Sequence, residues 1–404
     1  MIALLALAVL SPADSFRAPA GFDVARVVPG GTSVLPNGRL LTPIGDRLYT
    51  GEDLWKVLIS PNGSIIVGIH DDGFTVYDHE APRHLVSTKD IAPAGAFTSD
   101  GTRLILSEGD DGGLAVYSVP DFKKLSSISV NGDGYKDSYI NDIVLRGSTA
   151  YCVDVANQLL VTVDFGAGKV VSRVRAGREP YSLALSPDGK RIYVANIGLF
   201  DYTIVPHSGG TPRGLSKPPF AFPSPESVKG VTVDGTKVAG LGSPYVPDAQ
   251  SIWMYDLSSG TPTVAKEVKA GLLIHAPADG GKSVGGSAPN GLLFDHERLF
   301  VSNANNDTVQ EFSPDLKLLR TIKLSPSPAV AKLRGVIPSG MAASPDGKRL
   351  YVCESGLNSV AVLDPDKGTT LGRVSSGWFP NSIATSPDGG TIYVATQKGI
   401  GRGP

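Results

Sequence analysis

Six histidines, at positions 70, 79, 84, 207, 275 and 296, are the first side chains to weigh as metal ligands or bases. None forms an HExxH pair, and the chain contains no GxSxG turn and no phosphate-cradling Walker loop. His79, His84 and His296 fall in expected turns, where a solvated ring is the usual outcome. His207 and His275 flank a long insert and are either ligands or, more commonly for such residues, structural. Oxygen chemistry is better represented. Asp71, Asp72, Glu108, Asp110, Asp111, Asp307 and Glu354 fall in loops that would share one face of the molecule. Carboxylates so grouped suit calcium or another hard cation, although charged loop tips are usually just solvated, and no metal or cofactor is assigned. A third set consists of Trp55, Tyr135, Tyr139, Arg178, Tyr181, Asn290, Arg334, Trp378, Phe379 and Asn381. Aromatic and Arg side chains are the types that most often anchor interfaces. Their recurrence beside polar groups marks them as candidates for binding a small-molecule ligand or a protein partner. The alternative for Trp55, Tyr181 and Trp378 is ordinary packing in the interior.

The elements that must position these residues repeat along the chain. From Ile337 to Val374, a Pro-Ser-Gly opening leads through Ser344-Pro345-Asp346-Gly347 to Leu350-Tyr351-Val352-Cys353, Ser359 to Asp364 and Thr370 to Val374. Short runs rich in Val, Leu and Tyr, parted by Asp-Gly, Asn and Pro-Asp signals, predict four antiparallel strands joined by hairpins. Matching segments open at Leu54, Pro93, Tyr139, Pro180, Pro289 and Pro380, which makes seven units in all. A four-stranded sheet of about 40 residues, repeated in this way, predicts an all-β, seven-bladed β-propeller. The aromatic, Arg and Asn candidates then lie in the connections leading into first strands. Asp71, Asp110, Asn196 and Asn305 lie in those joining second to third strands. Both sets converge on one face, the expected channel mouth.

Composition agrees with that frame. The chain has 404 residues and 41% hydrophobic content, enough for one closed domain with a large core, and its 48 Gly and 31 Pro suit a fold made of turns. A formal charge of −2 lacks the basic excess of a nucleic-acid binder. Residues 1–20 read as a signal peptide, because the apolar run from Ile2 to Leu10 is too short to span a bilayer and is followed by Ser11, Pro12 and Asp14. No Lys or Arg precedes that run, and a buried first strand is the other reading. Residues 21–404 form the propeller. Cys152 and Cys353 fall on second strands of nearly opposite blades and are expected as buried free thiols rather than a disulfide. The fourth unit carries an insert at about 198–250, rich in Pro and aromatic residues, with a hairpin near Val231 to Val238. The last unit stops after its second strand. The segment Thr32 to Thr42, with its Pro36-Asn37-Gly38 turn, is expected to supply the missing outer strands.

Tyr193-Val194-Ala195-Asn196, Phe300-Val301-Ser302-Asn303 and Tyr351-Val352-Cys353, with their preceding turns, resemble the YVTN-type propeller repeat. A likeness over nearly the whole chain is carried by Leu35 to Arg39, Gly285 to Asn290, Ser302 to Asp307, Leu333 to Pro338, Gly377 to Pro380 and Lys398 to Gly401. These segments are similar to the propeller half of bacterial exported proteins that join such a propeller to an alkaline-phosphatase-like phosphoesterase domain. In that family the phosphoesterase begins shortly after the Lys-Gly-x-Gly segment, and its metal ligands and nucleophile have no matching positions here. The resemblance implies a periplasmic or extracellular protein. It leaves three readings: a non-catalytic binding scaffold, a propeller subunit or truncated form of a phosphoesterase system, and a metal-dependent lactonase-like hydrolase at the channel mouth. No phosphoesterase turnover is expected from this chain alone.

Overall fold

The computed structural model describes residues 18–28, 31–78, 83–86, 93–200, 203–205, 214–216, 224–233, 235–278 and 281–398. Residues 1–17 of the expected signal peptide, His79, His207 and most of the insert's prolines lie outside them. Among the described residues no helix is long and apolar enough to cross a membrane.

Each repeat folds into an antiparallel sheet because its turn is made locally. In the fourth unit Ser186 Oγ donates to Asp188 Oδ1 at 2.6 Å, and the Lys190 and Arg191 amides donate to Asp188 Oδ1 and Ser186 Oγ, both at 3.0 Å. Gly189 closes the turn at φ 67°, where a side chain is disfavoured. The same pattern recurs at Thr98–Asp100, Ser344–Asp346 and Ser386–Asp388, and with an amide at Ser60–Asn62. A turn made within a few residues is what makes the repeat visible in sequence.

Among the described residues six sheets have four strands in simple order. Their first strands are Lys56–Ile59, Gly95–Phe97, Ile140–Arg146, Pro180–Leu185, Pro289–Asp295 and Pro338–Ala343. Their second strands are Ile66–His70, Arg103–Ser107, Thr149–Asp154, Arg191–Asn196, Arg298–Asn303 and Leu350–Glu354. The apolar cores lie between blades. One cluster joins Ile105 and Val116 to Ile143 and Cys152, and the next joins Val153 to Val194 and Trp253. Every consecutive pair of blades shares such a cluster. The molecule is a β-propeller, and its second strands are its most buried elements. Both cysteines are fully buried there as free thiols.

Two expectations are corrected. The seventh sheet, Pro380–Thr385 paired with Ile392–Thr396, has two strands rather than four. The N-terminal residues Ser33–Val34 and Leu40–Leu41 pair with each other, Val34 also bridges Arg26, and among the described residues neither extends it. They are held instead against the sixth blade, where Arg39 donates to the Gly356 carbonyl at 2.7 Å and the Ile44 amide to the Ser375 carbonyl at 3.2 Å. Closure falls to the first strand of the seventh sheet. Asn381 Nδ2 donates to the Trp55 carbonyl at 3.0 Å, and the Val57 amide donates to Ser382 Oγ at 3.3 Å. The insert leaves the fourth blade between Arg191–Asn196 and Ser251–Asp256, which still pair directly. Within it a short helix, Pro225–Lys229, is capped by Ser224 and followed by the expected hairpin, Gly230–Val233 with Thr236–Ala239.

Candidate functional site: the loop face and its cavity

The last residue of each second strand, or the one just after it, is polar: His70, Glu108, Asp154, Asn196, Asn303, Glu354 and, in the seventh sheet, Thr396. Most of them are wholly buried. A buried polar group must be paired, and these are paired mainly with the third and fourth strands of their own blades. Glu354 accepts from Arg373 Nε at 2.8 Å and Nη2 at 2.9 Å, and from Ser359 Oγ at 2.7 Å. Asp154 takes the Tyr139 amide at 3.0 Å and Asn157 Nδ2 at 2.8 Å. Glu108 takes Lys124 Nζ at 2.5 Å and Ser127 Oγ at 2.8 Å. His70 sits between Asp72 at 2.6 Å and Thr75 at 3.1 Å. The ring fastens the outer strands of each blade to its second strand, and Asp154 also holds the loop residues Tyr139 and Asn157.

That ring changes the standing of the acidic candidates. Glu108 and Glu354 already face protein cations. Asp307, only 2% exposed, accepts the Gly335, Val336 and Ile337 amides at 2.9 to 3.0 Å. Asp71 accepts Trp55 Nε1 at 2.5 Å. Their oxygens are spent on loop geometry, and among the described residues no group of three or more His, Cys, Asp or Glu converges as a metal cage. His84 lies on the strand Arg83–Val86 rather than in a turn, while His296 is at a turn, beside Asp295 at 2.9 Å.

The aromatic, Arg and Asn candidates divide. Arg178 is 5% exposed and reaches two points on the insert, donating to the Leu199 carbonyl at 3.1 Å and the Ser243 carbonyl at 2.8 Å. It is a clasp for the insert rather than a surface anchor. Lys269 reinforces it, bonded to the Val246 and Ala249 carbonyls, with burial pulling its pKa down to about 8 against the opposing pull of Asp248. Asn290 accepts from Ser302 Oγ at 2.9 Å, and Asn381 bonds the first blade. Tyr181 is half-buried, with its hydroxyl pKa pushed up by burial and by the nearby Asp142 charge. Tyr139 is tied by its amide. Tyr135 is exposed under Arg173, at 5.9 Å from the ring centre. Trp378 and Phe379 share the Lys398 ammonium, at 5.7 and 4.8 Å from their ring centres.

Sequence reasoning missed the axis of the ring. Lys56 of the first blade reaches across to Asp142 of the third, Nζ to Oδ1 at 2.6 Å; at this register the second blade offers only Ala94. Asp142 Oδ2 also takes the Leu183 amide of the fourth blade at 2.8 Å, and Ser182 Oγ takes the Leu292 amide of the fifth at 3.2 Å. With Ser382, these side chains each accept from the next blade and stitch the first strands together around the channel. No sequence motif marks the pair; only the register of first strands could have pointed to it.

Arg334 is the candidate that borders a cavity. Three segments border a half-open space of about 730 Å³: the 304–307 turn, the 332–337 part of the connection to the sixth blade and the excursion after the fourth blade. Arg334 is fixed by its Nη1, which donates to the Asn306 carbonyl at 2.5 Å. Asn306 in turn donates to the Gly286 carbonyl at 2.8 Å and accepts the Leu272 amide at 2.6 Å. Asn305, also expected at the mouth, donates to the Gly285 carbonyl at 3.0 Å. Lys282, Lys332, Val284 and Leu333 complete the lining, and none of these four stood among the sequence candidates.

Comparison with known proteins agrees with the architecture. A family model described as "Lactonase, 7-bladed beta-propeller" matches residues 245–400, a span that includes the cavity. A solved structure, the Kuenenia stuttgartiensis Hydrazine Synthase, aligns with a TM-score of 0.57 at 17% identity, over 87% of this chain and 95% of that one. At that identity the likeness is one of fold. No curated protein matches. The class defined by fold and comparison is that of the β-propeller proteins.

Proposed function

We propose that this chain is a binding propeller that takes a small molecule or a protein partner on its loop face and performs no chemistry alone. The observation that carries this reading is the cavity beside Arg334. Around it the carboxylate and amide groups are held in structural hydrogen bonds, while cationic and apolar side chains face open space. A cavity of this size falls in the range of small-ligand sites. The phosphoesterase resemblance supports a phosphoesterase domain or chain as partner, and the Ile2 to Leu10 run supports a periplasmic or extracellular setting.

A second reading, lactone hydrolysis at the channel mouth, is favoured by the family-model match over residues 245–400. The two readings separate in one experiment. The purified chain is assayed against a phosphate monoester and a panel of lactones, with and without added divalent metals, while ligand binding is followed by thermal shift. The binding reading expects stabilisation by a ligand without turnover. Reproducible metal-dependent hydrolysis by homogeneous protein, lost on substituting residues of this face, would replace it with the enzymatic one.

A further inference from the structure

The lining of the cavity beside Arg334 is chemically lopsided. Lys282, Lys332 and Arg334 bring three cationic side chains to it, and among the described residues Asp307 is the one carboxylate in its lining. Asp307 does not offset them as a free acceptor, because its oxygens are bonded to the three backbone amides of 335–337 and it is 2% exposed. Lys282 and Lys332 are exposed, and no described carboxylate lies within ion-pair distance of either. Elsewhere on the surface cations are commonly paired, as in Arg298 with Asp366, Arg173 with Asp133 and Lys367 with Asp364. The guanidinium of Arg334 is held at one nitrogen, which leaves its remaining donors pre-oriented rather than free to swing.

The same lining exposes large apolar side chains. Val284 is 84% exposed and Leu333 is 69% exposed, among the highest values of any apolar residue described. Each comes from a different segment bordering the cavity. Cationic donors fix a charged head, and apolar area favours a body that leaves water with it.

We infer that this cavity takes an amphipathic anion: an oxyanion head, phosphate or carboxylate, held by Lys282, Lys332 and Arg334, with an apolar tail laid on Val284 and Leu333. The inference rests on the binding reading above and names the ligand class for that site. A free inorganic anion would use only the cations, and a neutral hydrocarbon only the apolar pair. The exposed lysines make the interaction salt-dependent, since charges at the surface are screened within about 8 Å at physiological ionic strength.

The test is calorimetric titration of the full chain with hexyl phosphate, heptanoate, methyl phosphate, hexanol and hexyltrimethylammonium. The wild-type chain is compared with Lys282→Ala/Lys332→Ala and with Val284→Ser/Leu333→Ser. Hexyl phosphate or heptanoate is expected to bind best, and which of them wins distinguishes the head groups. The double lysine variant should weaken that binding by about tenfold at unchanged melting temperature. The apolar variant should remove the advantage of hexyl over methyl phosphate. Equal binding of hexanol and hexyl phosphate, or undiminished hexyl phosphate binding in the lysine variant, overturns the anionic class. If the apolar variant still weakens hexanol in that case, the cavity remains the binding site and only the ligand class fails. No binding by any probe also overturns the class, and the thermal-shift measurement under Proposed function then decides the broader reading on its own.

Discussion

The repeated turn shows how one side chain can set both a local fold and a pH response. Asp100, Asp188, Asp346 and Asp388 accept hydrogen bonds from a Ser or Thr hydroxyl two residues before and from amides just after. These bonds hold the carboxyl pKa values below the ordinary one, Asp100 at about 2. A depressed folded pKa stabilises above the unfolded value, and that contribution is lost as pH falls through the folded value. Asn62 already serves in the first blade, so a variant carrying Asn at all four positions should fold. It should melt below the wild type at pH 7, with the gap closing as pH falls from about 4 to about 2. A gap that stays constant across that range would mean that the charge contributes nothing. Arg178 makes a second case. Replacing it by Ala leaves two inward carbonyls without their donor, at a cost of about 1–3 kcal/mol for each buried group. Limited proteolysis should then cut within 198–250 far faster than in the wild type.

The second strands carry the fold's most constrained chemistry. Cys152 and Cys353 lie in them at 0% exposure, where burial and neighbouring carboxylates push their thiols well above the usual range. The thiolate is the reactive form. Both should therefore resist a thiol reagent such as DTNB in the native protein and react fully once it is unfolded in denaturant. At the end of its strand Glu354 is also fully buried and forms its paired contact with Arg373, itself 23% exposed. Truncating one partner of such a pair strands the other, so Glu354→Ala should lose about 3–5 kcal/mol in denaturant titration. A loss below about 1 kcal/mol would show that the ring of strand-end polar groups does not fasten the strands of a blade.

Closure belongs to the molecule as a whole. The ring is completed by Asn381 and Ser382 meeting the first blade, not by a strand from the N-terminus. Removing the residues before Leu48 takes away Val34, Leu35 and Leu41, all buried, at about 1.5–3 kcal/mol each as an upper bound. The shortened chain should melt several degrees lower in one cooperative transition. A chain ending at Ser375 should lose cooperative unfolding, because the sixth and first blades would face each other across a gap. If instead the N-terminal deletion abolishes folding while the C-terminal one is tolerated, closure has been placed at the wrong end.

Blade number, the order of strands and the hairpin in the insert were legible from residue order alone, because the signals that specify them act over a few positions. Ser-Pro-Asp-Gly makes its own turn, and alternating Val, Leu and Tyr make their own strand. The free buried state of Cys152 and Cys353 followed from the same register. What each loop residue does was not legible, because its partners come from distant chain. Asp307 meets amides at 335–337, Arg178 meets carbonyls at 199 and 243, and Lys56 meets Asp142 across the channel. A carboxylate already surrounded by backbone donors and one free to bind a cation look identical in sequence. Only the closed ring, by bringing those donors to Asp307 while placing no described carboxylate beside Lys282 and Lys332, separated the carboxylates held in the fold from the cations left exposed.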